Sequence, residues 1–62
     1  MSLSPQLSSV STALTDLTKR VAVMAESLSG SERDDVAGAL FEVERSMKTA
    51  GRRLDKILSD LR

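Results

Sequence analysis

Cysteine, histidine, tryptophan and tyrosine are absent from this 62-residue chain, and Phe41 is its single aromatic. Without cysteine there is no disulfide, and without cysteine or histidine a metal site has only carboxylates to draw on. Those suit hard cations, and no calcium-loop spacing occurs. Net charge is missing too. Nine basic and nine acidic side chains cancel, so no overall field steers the chain toward nucleic acid or an anionic membrane. The stretch "MSLSPQLSSVSTAL" lacks the basic and apolar regions of a signal peptide, and no run approaches the length of a membrane span. A soluble, cytoplasmic protein is the expectation, and the absence of cysteine fits that compartment.

Catalysis is short of parts. Acid–base and nucleophilic chemistry normally draw on His, Cys or Tyr, every Ser here lacks an evident base, and Gly30 reads as a helix stop rather than part of a phosphate loop. Asp34, Asp35, Glu42 and Glu44 are better placed to complement a helix N-terminus or to pair with a base one turn later, as Glu44 with Lys48. Neither an enzyme nor a cofactor is expected.

The chain does have heptads. Leu3, Leu7, Val10, Leu14, Leu17, Val21, Met24 and Leu28 follow one another at alternating steps of four and three, and Val36, Leu40, Val43, Met47, Ala50, Leu54, Ile57 and Leu61 do the same. Such alternation is the seam of a helix packed on another helix. Between the runs, Gly30 suits the left-handed position after a helix end, and Ser31 with Asp34 three residues on reads as the next start. Ser4 before Pro5 reads as the first start. The spacing predicts one all-α domain over 1–62: a helix over about 4–29, a turn at 29–31 and a helix over about 32–61. So short a turn makes the helices antiparallel, a coiled-coil-like hairpin in which Leu28 faces Val36, Leu14 faces Ala50 and Leu3 faces Leu61.

A lone hairpin of this length buries little, so the flanks matter. One flank of the first helix carries Thr18, Ala22 and Ala25 among serines and threonines, none large and none charged, which permits close approach of another backbone. The matching flank of the second helix carries Ala37, Phe41, Gly51 and Leu58, with Glu44, Lys48 and Asp55 between them. The seven uncharged residues named here are the expected interface of a homodimer, a four-helix bundle with Phe41 as its anchor, acting as a protein–protein interaction or scaffolding module.

The alternative is RNA or other nucleic acid. Arg45, Lys48, Arg52 and Lys56 form one stripe of the second helix, which a dimer would double. In length and hairpin plan, though in no residue-level motif, the chain resembles the small plasmid-encoded RNA-binding Rop proteins, whose two-helix chains dimerise into a four-helix bundle. That resemblance implies the same architecture and an RNA partner. Helix C-terminal placement and pairing with Asp55 and Asp60 explain the same cations more simply, so nucleic acid is not the expected partner. Residues 3–17 also have the serine- and threonine-rich polar face of a lipid-packing sensor. Their apolar residues are assigned to the seam, so a membrane is not expected either.

Overall fold

The computed structural model describes residues 3–61 and contains two helices and no strand among them: α1, Leu3–Leu28, and α2, Asp34–Leu61, packed against each other. Both helices fall within two residues of their expected bounds. Pro5 lies in the first turn of α1, where its missing N–H costs no hydrogen bond. Ser4, expected as the cap, is already inside the helix.

The turn is built on Gly30, whose φ of 77° lies in the left-handed region that other residues enter at a cost. Its N–H donates to Asp34 Oδ1 at 2.7 Å, so the first carboxylate of α2 holds the reversal in shape. Ser31 does not cap α2 as its position suggested. Its hydroxyl donates to the Leu28 carbonyl and accepts from the Arg33 N–H at 3.1 Å, closing the end of α1 and the turn itself. The Arg33 carbonyl accepts the first bonds of α2, from Val36 and Ala37.

The seam is not the expected one. The helices are rolled so that the small residues of α1 turn inward against the line Ala37, Glu44, Gly51 and Leu58 of α2: Thr18, Ala25, Ala37 and Leu58 are buried, with Ala25 at 0% exposure, and Ser11, Glu44 and Gly51 are half-buried. Half of the expected seam survives beside them, Leu7, Leu14, Val21 and Leu28 on α1 and Val36, Leu40, Met47 and Leu54 on α2, all half-buried. The other half is outside. Leu3, Val10, Leu17, Met24, Val43, Ala50, Ile57 and Leu61 are exposed.

The physical reason lies in the distance over which two helices gain contact. Alanine and threonine let the axes come close, so dispersion is gained along both backbones and not only at side-chain tips. The register moves with the roll: Leu14, expected opposite Ala50, lies against Gly51, where an added Cβ would stand 3.9 Å from Leu14 Cδ2. By the antiparallel run, Thr18 comes level with Met47 and Ala25 with Leu40. The buried Thr18 hydroxyl donates to the Leu14 carbonyl at 2.6 Å, so the seam holds no unsatisfied side-chain polar atom among the described residues.

Candidate interaction surface

Every seventh residue of α1 from Leu3 onward is apolar and exposed: Leu3, Val10, Leu17 and Met24. On α2 the corresponding line is Val36, Val43, Ala50 and Ile57, half-buried at Val36 and exposed thereafter. Each residue stands one position before the inward line of its own helix. In an antiparallel pair the same offset on both helices falls on the same side of the hairpin. The two lines are therefore parallel ridges on one face, with the half-buried leucines, Val21 and Met47 as the furrow between them. No charged residue belongs to either ridge or to the furrow.

The magnitude of this face decides its importance. Among the described residues only Ala25, Ala37 and Leu58 are buried apolar side chains, whereas six large apolar side chains of the two ridges, Leu3, Val10, Leu17, Met24, Val43 and Ile57, are exposed. Single exposed leucines are ordinary on protein surfaces, but a continuous apolar stripe along both helices is not. The accessible surface is 4696 Å², against about 3,900 Å² for a compact monomer of this mass. The radius of gyration is 14.5 Å, against about 10.5 Å for a compact chain of this length. Both excesses are those of a thin rod, 48 Å long, in which each helix keeps a flank in water.

The opposite side of the hairpin is polar. Ser11 donates to Asp55 Oδ1 at 2.8 Å across the two helices, and Thr15 donates to the Ser11 carbonyl at 3.0 Å. A shallow groove there is lined by Thr15, Lys19, Lys48, Gly51, Arg52 and Asp55 together with Leu14, Thr18 and Met47, so these seam side chains reach this side as well. Phe41 borders this side at 38% exposure, beside Glu44, Arg45 and Lys48. Glu44 is the one charged residue at a seam position; its side chain is 16% exposed and receives Lys48 Nζ at 3.2 Å, the pair expected from their spacing.

Of the seven residues expected at a dimer interface, the structure sets Thr18, Ala25, Ala37 and Leu58 between the chain's own two helices, leaves Gly51 half-buried along the same line and Ala22 half-buried beside it, and leaves Phe41 on the polar side. The small residues do admit another backbone, and it is that of the same chain. The basic stripe is largely answered from within. Arg45 lies 3.8 Å from Glu42, Lys56 lies 3.5 Å from Asp60, and Lys48 is held by Glu44; only Arg52, donating to Thr49 Oγ1 at 3.2 Å, faces no carboxylate in this set. Such exposed pairs add little stability, but they lower the potential that phosphates would meet.

Sequence reasoning missed the exposed ridges, although their seven-residue spacing was visible. Each helix carries three heptad lines that are mostly apolar or small, where one seam needs two. No helix among the described residues is long and apolar enough to cross a membrane. No protein-family model matches the chain, and no curated protein or solved structure matches it either.

Proposed function

We propose that this chain is a non-catalytic helical interaction module that acts as a homodimer, two hairpins closing into a four-helix bundle through the apolar ridges. One observation carries the reading: a continuous uncharged apolar face running the length of both helices, on a hairpin that buries only Ala25, Ala37 and Leu58 among its described apolar residues. A second copy fits that face better than a single foreign helix. It brings two ridges of the same length, whereas one helix lying in the furrow would leave the outer flank of each ridge in water. Zero net charge removes long-range repulsion between copies.

Sedimentation equilibrium at micromolar concentration is expected to return twice the chain mass. Leu17→Glu, which sets a carboxylate in the middle of the face, is expected to give monomers, and Phe41→Glu is expected to leave the dimer intact. A wild-type monomer with a concentration-independent melt would overturn the reading, because the stability of a dimer follows mass action.

The exposure of Leu3, Val10 and Leu17 favours a second reading, since the seam no longer claims these residues: adsorption of α1 to loosely packed lipid. Flotation with small neutral vesicles tests it. Against it stand the absence of any aromatic on the face and the equal ridge on the more highly charged α2. The binding module for another protein, or for RNA through Arg45, Lys48, Arg52 and Lys56, would then use the polar side that the dimer leaves free.

A further inference from the structure

Two hairpins can close face to face in two ways. With the two-fold axis along the rod, each α1 packs on the partner's α2 and both turns lie at one end. With the axis across the rod, α1 packs on α1, α2 on α2, and the turns lie at opposite ends. From the sizes of the ridge residues we infer that this chain pairs in the first way, with both turns together; the inference rests on the dimer reading above.

The ridges are unlike in relief. That of α1 is large throughout, Leu3, Val10, Leu17 and Met24, while that of α2 drops to Ala50 near its middle. The contact of Leu14 with Gly51 and the hydrogen bond from Ser11 to Asp55 set the levels of the two helices along the rod to within about one residue. Leu17 comes level with Lys48, so among the α2 ridge residues it is nearest to Ala50. Val10 is likewise nearest to Ile57, and Met24 to Val43. A two-fold axis along the rod preserves these levels between copies: Leu17 of each chain enters the notch at Ala50 of the other, and the helices keep an even spacing.

A two-fold axis across the rod sets Leu17 near its own copy and Ala50 near its own copy. The bundle is then overfilled along one edge and hollow along the other. Both faults are costly in a packed interior.

The test uses the full chain. Since it contains no cysteine, Glu32→Cys at the turn, or in a separate variant Ser59→Cys at the far end of α2, supplies a unique site for a spin label. Both residues are exposed and lie outside the ridges. Double electron–electron resonance is expected to give a short separation for each variant, on the order of 20 Å, set by helix diameters. A separation near the 48 Å length of the hairpin for both labels would overturn the orientation and leave the dimer standing. Absence of any dipolar coupling would overturn the dimer and the orientation together. With Glu32→Cys as background, Leu17→Glu is expected to abolish the coupling and Phe41→Glu to retain it. The reverse pattern would place the contact on the polar side and overturn the inference, even with a short separation.

Discussion

Replacing Ala25 by leucine separates the observed seam from the one that large residues would make. In the structure Ala25 is 0% exposed, and the antiparallel register brings it near the level of Leu40 of the facing helix. At a fully buried site three added heavy atoms force the helices to part or the leucine to leave its preferred rotamer. Overpacking of that kind costs about 1–3 kcal/mol. In a domain of this size each kcal/mol moves the melting midpoint by about 4–8 °C, so a fall of roughly 5–20 °C is expected. Were Ala25 on an outer flank, the same change would stay within about 0.5 kcal/mol, since leucine is nearly as good a helix former as alanine. Thermal melts followed by far-ultraviolet circular dichroism measure the difference. Wild type and variant are compared at equal chain concentration, with Ala13→Leu, at an exposed position of the same helix, as the control. An Ala25→Leu midpoint no lower than that of Ala13→Leu would refute the small-residue seam.

The glycines make a second set of predictions, opposite in sign. Gly30→Ala is expected to destabilise by about 1–2 kcal/mol, although nothing lies within 4 Å of the new Cβ, because φ is 77°; Gly51→Ala, whose Cβ would make an ordinary contact with Leu14, is expected to stabilise by about 0.5–1 kcal/mol. Chemical denaturation of each single variant checks both signs. Asp34→Ala removes the acceptor of the Gly30 N–H and a negative charge from the start of α2, and is expected to lower stability by about 1 kcal/mol in the same assay. The dimer's dissociation constant is expected to hold or tighten from 50 mM to 500 mM salt, since apolar contact is not screened. Binding to structured RNA that weakens steeply over that range, and vanishes when Arg45, Lys48 and Arg52 become Gln, would instead establish the nucleic-acid reading.

The two helices, their antiparallel turn and the left-handed Gly30 were legible from heptad spacing and a single glycine. Their roll was not. Leu7, Leu14, Val21 and Leu28 belong equally to two seams, one completed by Val10, Leu17 and Met24, the other by Ser11, Thr18 and Ala25. Hydrophobicity alone favours the first, because it counts what a side chain loses by exposure and not how near two backbones can come. Thr18 and Ala25 were expected to admit the backbone of a second copy; the structure buries them within the hairpin, and a linear pattern does not say whether a neighbour is intramolecular. Glu44 was a further clue. As the one charge in the observed seam it looked like a flank residue, and only its long side chain, reaching Lys48 at 3.2 Å, makes the position tolerable.

The hairpin measures 48 × 14 × 12 Å, more than three times as long as it is wide, and such a rod drags more than a sphere of its mass. On a gel-filtration column calibrated with globular standards, one chain therefore elutes ahead of its mass and imitates a dimer. True face-to-face pairing thickens the rod without lengthening it, so friction per unit mass falls as mass doubles. The sedimentation coefficient should then rise by more than doubling at constant shape would give, whereas pairing end to end would raise it by less. Sedimentation velocity across a dilution series thus reports not only whether two copies meet but along which dimension of the rod they meet.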